Sequence, residues 1–175
     1  LDQPVLTRYL AFLQGLLTRG DLGRSLVSQR PVAELVLERM PYTVALALAA
    51  VLLAAAIGGI GGIVAALKAG SPADTALMTG AALGAAVPTY WSGLLLILLF
   101  SLRLRWLPVT GAETPSHLIL PAVTLALPTA AAVGRLVRSG LLDAIGADYV
   151  RTAHAKGLAP RRVIARHVLR NGLIP

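Results

Sequence analysis

The sequence contains no cysteine, which excludes a disulfide scaffold and any thiolate-ligated metal centre. Charge is scarce as well. Only 14% of the 175 residues are Asp, Glu, Lys or Arg, against about 25% in an ordinary soluble domain. Acids are the scarcer sign, eight against sixteen Lys and Arg, for a net charge of +8. So few charges cannot cover the surface of a water-soluble body of this length. The 56% share of apolar residues and the mean hydropathy of +0.73 also exclude a disordered chain. No Gly-x-x-x-x-Gly-Lys-[Ser/Thr] loop is present. Gly58-Gly59-Ile60-Gly61-Gly62 has no Lys at the required place, so ATP hydrolysis by this chain is not expected. His117, His154 and His167 lack ligand spacing, and neither a metal site nor a cofactor is expected.

What is present are three stretches free of charge. They run from Met40 to Leu67, from Thr75 to Leu102 and from Thr114 to Gly134. A membrane-spanning helix needs about 20 mostly apolar residues, and each stretch is long enough. None shows the polar face that a helix of this length would carry in water. The fold class expected is all-α, a polytopic helical membrane protein with three spans at about 41–67, 73–102 and 115–136. The implied organisation is an amphipathic extracytoplasmic lead-in over 1–39, a transmembrane domain over 40–139 and a cytoplasmic loop over 140–175. The chain opens on Leu1-Asp2-Gln3-Pro4 and ends on Gly172-Leu173-Ile174-Pro175, where apolar sequence restarts, so it reads as a piece of a longer protein.

Local signals place the boundaries. Tyr9, Leu10, Phe12, Leu13, Leu16 and Leu17 recur at helical spacing, and Gly20-Asp21-Leu22-Gly23 breaks that helix. A second short helix is expected from Pro31 to Arg39, with the first span starting afresh near Pro41. Gly70 ends that span, Ser71 is the N-cap of the next helix, Pro72 its first residue, and Asp74 lies near the positive end of its dipole. Trp106 falls where an interfacial aromatic belongs. Pro121 and Pro128 predict a kinked third span. Gly58-x-x-x-Gly62 and Gly80-x-x-x-Gly84 permit close helix contact in lipid. Pro88-Thr89-Tyr90-Trp91-Ser92-Gly93 disturbs the second span; Pro88, Tyr90 and Trp91 read either as part of a translocation path or as a packing kink.

Residues 135–175 hold eight basic residues and two acids, which puts this segment on the cytoplasmic side, together with residues 68–74. The opposite side, with residues 1–39 and 103–113, still carries seven Lys and Arg against nine, so density rather than count makes the assignment. Within the segment, Ala147 to Lys156 forms a helix, Gly157 ends it and Pro160 opens another. Arg162, Arg166 and Arg170 make a basic stripe, with Val163, Ile164, His167 and Val168 on a largely apolar side. Such an element lies across the membrane face, either as a docking surface or as a basic loop on anionic lipid.

The run Tyr149-Val150-Arg151-Thr152-Ala153-His154-Ala155-Lys156-Gly157-Leu158, with Arg166-His167-Val168-Leu169-Arg170-Asn171, resembles the EAA loop of ABC-importer permeases of the peptide type. To the general EAA form only Ala153, Gly157 and Leu169 correspond; to the peptide-type form the first run fits throughout. Gly20-Asp21-Leu22-Gly23-x-Ser25, Glu38-Arg39-Met40-Pro41-x-Thr43, Pro88-x-Tyr90-Trp91 and Trp106-Leu107-Pro108-x-x-Gly111 are similar, in order, to the B-subunit type of dipeptide/oligopeptide permeases. The resemblance implies about six spans in a complete permease, of which this chain would lack the first and the last two. It implies a bacterial inner-membrane location and a coupling helix seated on an ATPase subunit, with Arg151, Thr152, Ala153, Lys156, Gly157 and Leu158 as the coupling residues. Ala153 is expected to be small for contact with that partner. The partners implied are ABC ATPase subunits, a second homologous permease subunit, an extracytoplasmic solute-binding protein and membrane lipid, with no nucleic acid. Dipeptide, oligopeptide, glutathione and nickel importers share this permease type. The competing reading is a basic-tailed membrane scaffold that binds anionic lipid or another partner through residues 151–170.

Overall fold

The computed structural model describes residues 4–173, so the expectations placed on Leu1–Gln3 and on Ile174–Pro175 lie outside the described residues. Helix dominates and no strand forms among them. The chain divides into a unit ending at Ala45 and a second starting at Leu46.

In the first unit, α1 (Val5–Arg19) buries none of its residues. Gly20 ends it in the left-handed conformation at φ 64°, donating to the Leu16 carbonyl, while the Asp21 N–H reaches the Gly15 carbonyl. A short turn follows in which the Ser25 N–H bonds to the Arg30 carbonyl and the Val32 N–H to that of Gly23. α2 (Val32–Leu67) then starts where Pro31 leads it in. The expected second start at Pro41 does not occur, for Pro41 lies inside α2. Its fixed φ suits a helix, and what it removes is one N–H. Both Pro41 and Leu37, whose carbonyl loses that donor, are exposed, so no orphan acceptor is sealed in the protein.

The second unit is inside-out relative to a soluble protein. The buried residues of α2 are Ala50, Ala54, Gly58, Gly62, Ala65 and Ala66, while Leu48, Val51, Leu52, Ile57 and Ile60 point outward. Small residues every four positions make one face nearly flat. The facing seam on α5 (Ser116–Gly146) is built alike, with Ala122, Ala126, Ala130 and Gly134. A Cβ added at Gly58 would stand 2.4 Å from the Ala130 carbonyl oxygen, and one at Gly62 would stand 2.6 Å from that of Gly134. Backbone therefore meets backbone, which is how helices associate in lipid without a hydrophobic driving force. Gly80 and Gly84, the other expected pair, have nothing within 4 Å of an added Cβ and line a groove instead.

Gly70, at φ 77°, closes α2, and Ser71 accepts from the Asp74 N–H to cap α3 (Pro72–Ala86). α3 does not run on to Leu102. It stops at Val87, and α4 (Thr89–Leu96), continued by a π-helical segment Ile97–Arg103, leaves at 101° to it. Pro88 explains the break: it supplies no N–H, and it forces Val87 out of the helical region to an extended ψ of 124°. Two helices, α2 and α5, are long and apolar enough to cross a membrane, and α3 with α4 makes a third if the bent pair counts as one span. α5 continues through Pro121 and Pro128 and past the end of the apolar stretch to Gly146. The extra turns are amphipathic, burying Leu141 and Ala144 and exposing Arg135 and Asp143. After it come α6 (Asp148–Ala155), α7 (Pro160–Val163), a π-helical segment Ile164–Val168 and α8 (Leu169–Gly172).

Candidate functional site

The base of the second unit is a small core in which Ala66 from α2 and Leu141 and Ala144 from α5 meet Val150, Ala153, Val163 and Val168. It fixes how α6 presents itself. Asp148 starts α6 with its negative charge at the positive end of the helix dipole, and the Thr152 hydroxyl donates to the Asp148 carbonyl at 2.9 Å. Val150 and Ala153 lie one turn apart and both face inward. Ala153, expected to be small for contact with a partner, is thus small because it is packed inside this chain. Leu158 also folds back onto the core. Arg151, Thr152, Lys156 and Gly157 remain on the outside.

Gly157 ends α6 at φ 78°. Its N–H donates to the His154 carbonyl at 2.9 Å, and the Leu158 N–H reaches back to Ala153 at 3.3 Å. That positive φ is the reason for glycine here; space is not, because an added Cβ meets nothing within 4 Å. Pro160 opens α7 as its first residue. The following π-type turn brings Val163 and Val168, five residues apart, to the same buried side. Arg162, Arg166 and Arg170 stay exposed, so the loop presents basic side chains outward on both of its arms. Its return is tight: an added Cβ at Gly140 would stand 2.5 Å from the Gly172 carbonyl oxygen, where α5 and α8 cross.

Sequence reading missed the strongest polar contact at this end. Arg138 donates from Nε to Asp74 Oδ1 and from Nη2 to Oδ2, both at 2.7 Å. Asp74 is 4% exposed and its Oδ2 also accepts the Gly70 N–H at 3.0 Å. Spacing offered no signal for the pair: Asp74 borders the charge-free stretch Thr75–Leu102, but Arg135 and not Arg138 borders Thr114–Gly134.

At the other end of α4 and α5 is a cavity of about 540 Å³. Tyr90, Gly93 and Leu94 line it from α4, Leu120 and Thr124 from α5, and Pro108 to Gly111 from the connecting loop. Of the three residues singled out for a path, the structure brings only Tyr90 to this cavity. Pro88 makes the break, and Trp91, one residue further round α4, points elsewhere. His117 closes one side, with Glu113 Oε2 3.3 Å from its Nε2 and the Thr114 hydroxyl 2.8 Å from Nδ1. The N–H groups of Glu113 itself and of Ala112 hold the Glu113 carboxyl below the usual carboxylate range. Gly111, at φ 116°, leaves room for this group: an added Cβ there would overlap Glu113 and His117. No cluster of three or more potential metal ligands occurs among the described residues.

Residues 58–175 match the family described as binding-protein-dependent transport system inner membrane component. Over its whole length the chain is 39% identical to the di/tripeptide transport system permease protein DppB of Pseudomonas aeruginosa, covering 60% of that protein. It is equally similar to the oligopeptide transport system permease protein AppB of Bacillus subtilis, covering 58%. It is 39% identical to the glutathione transport system permease protein GsiC of Escherichia coli, covering 57%. The chain therefore spans rather less than two thirds of the length of these curated relatives.

Proposed function

Because the chain belongs to the binding-protein-dependent transport system inner membrane component family, we propose that it is the membrane-spanning part of an ATP-driven importer of short peptides. The protein works in the bacterial inner membrane, beside a second homologous permease subunit and below an extracytoplasmic solute-binding protein, and hydrolysis takes place on separate ATPase subunits. The lead-in lies on the extracytoplasmic side, the helices from about residue 40 to 139 form the membrane domain, and the loop from 140 onward is cytoplasmic. The substrates named for the three relatives are all amide-linked peptides, which favours this class over a metal ion.

The observation that carries the proposal is the packing of α6. Its inner face, Val150 and Ala153, is locked into the core shared with α5, while Arg151, Thr152 and Lys156 face out beside the exposed turn at Gly157. A helix held so firmly from behind and basic in front transmits a push to α5. An ATPase groove lined with carboxylates fits Arg151 and Lys156. The cavity at Tyr90 and Thr124 is the section of the translocation path that this chain supplies.

Replacing Gly157 tests the coupling role. At φ 78° a β-branched side chain is strained by about 1–2 kcal/mol. Gly157→Val in the full-length permease should leave insertion near normal and abolish peptide uptake, whereas Arg162→Ala on the exposed stripe should do much less. Normal uptake by Gly157→Val together with its loss in Arg162→Ala would favour the lipid-binding reading of the loop.

A further inference from the structure

We infer that Asp74 and Arg138 are positioning residues for transport, the link by which movement of the 148–172 loop reaches α3 and the bend above it. The inference rests on the permease reading just given.

Three observations carry it. First, Asp74 is the only buried residue of α3. Every other residue of that helix is half-buried or exposed, and Gly80 and Gly84 offer no side chain to the groove they line, so Asp74 is its one fully buried anchor. Second, Arg138 lies on α5 between the two places where α5 is gripped. Gly134, one turn before it, abuts the backbone of α2, and Leu141, three residues after it, is fully buried in the core that holds α6. Third, the pair is two-pronged and fixed from behind. A planar guanidinium bonded to both oxygens of one carboxylate transmits rotation as well as translation. The Gly70 N–H on Oδ2 ties the same carboxylate to the turn between α2 and α3. A shift of α6 thus moves α5, Arg138 moves with α5, and Asp74 carries the base of α3. The 101° break at Val87–Pro88 then hands that motion to α4, where Tyr90 faces the cavity.

The test uses the full-length permease with its ATPase and binding-protein partners in proteoliposomes, reading peptide transported per ATP hydrolysed. The unfolding temperature of each purified complex is measured alongside. Asp74→Ala and Arg138→Ala should lower the transport ratio by between about two- and thirtyfold, the range for residues that modulate coupling, while hydrolysis continues. The exchanged pair Asp74→Arg/Arg138→Asp should recover part of the ratio. Arg138→Lys keeps the charge and loses the fork, and should lower the ratio at an unchanged unfolding temperature. That variant carries the test if the alanine variants do not assemble. A merely structural pair predicts the opposite, lower unfolding temperatures at an unchanged ratio, and that result overturns the inference. A wild-type complex that moves no peptide overturns the permease reading itself, a failure distinguishable from wild-type transport with unaltered variants.

Discussion

Gly58 and Gly59 are neighbours on α2, and the same substitution at each should act in opposite directions. At Gly58 an alanine methyl would stand 2.4 Å from the Ala130 carbonyl oxygen and 2.9 Å from Val133 Cβ. Ordinary contact between heavy atoms starts near 3.5 Å, so α5 must retreat by about 1 Å. Overpacking of this kind costs about 1–3 kcal/mol. Against it stands the helix propensity gained when glycine becomes alanine, about 1 kcal/mol. Gly58→Ala should therefore lose up to about 2 kcal/mol. At Gly59 an added Cβ meets nothing within 4 Å, so only the propensity gain remains and Gly59→Ala should be as stable as the parent or more so. Equilibrium unfolding of the full-length protein in mixed detergent micelles gives both values on one scale. The reasoning is refuted if Gly58→Ala proves as stable as Gly59→Ala, because the α2–α5 seam would then not be the close backbone contact described.

Pro88→Ala restores an N–H at the α3–α4 break and frees Val87 to become helical; spin labels on Ala81 and Leu95 should move apart as the bend opens, and an unchanged distance would mean that the surroundings, not the proline, hold it. For topology, cysteines introduced at Lys68 and Thr110 should differ in reaction with an impermeant thiol reagent added from outside, only position 110 being labelled; labelling of 68 alone would invert the orientation.

The chemical punctuation of this chain is readable because each mark acts locally. Gly20, Gly70 and Gly157 all adopt positive φ where the sequence has them ending helices, and the Ser71 cap and the break before Pro88 follow from single side chains. Helix extent is less legible. Pro41 removes only one donor, and an exposed helix tolerates that loss. α5 outlasts its apolar stretch because the turns from Arg135 to Gly146 bury Leu141 and Ala144 against the loop, a tertiary reward invisible to hydropathy. Pairing across long separations is not legible at all. The sequence marks Asp74 as a helix-start acid and Arg138 as one basic residue among eight, and only the antiparallel packing of α3 with α5 joins them. For the same reason Tyr90 cannot be separated from Pro88 and Trp91 by spacing: the cavity is defined by Thr124, Leu120 and the 108–111 loop, which approach from elsewhere in the chain.

The sequence separation of 64 from Asp74 to Arg138 also sets a clock during synthesis. A ribosome adding about 5–20 residues per second needs roughly 3–13 s to pass from one to the other. Throughout that interval the Asp74 carboxylate is already in the chain while its partner does not yet exist. Two local contacts bridge the wait, the Gly70 N–H on the carboxylate and the Ser71 cap on the Asp74 N–H, since both belong to the turn itself. The turn is thus provisionally held, and the arrival of Arg138 is the event that fastens it to α5.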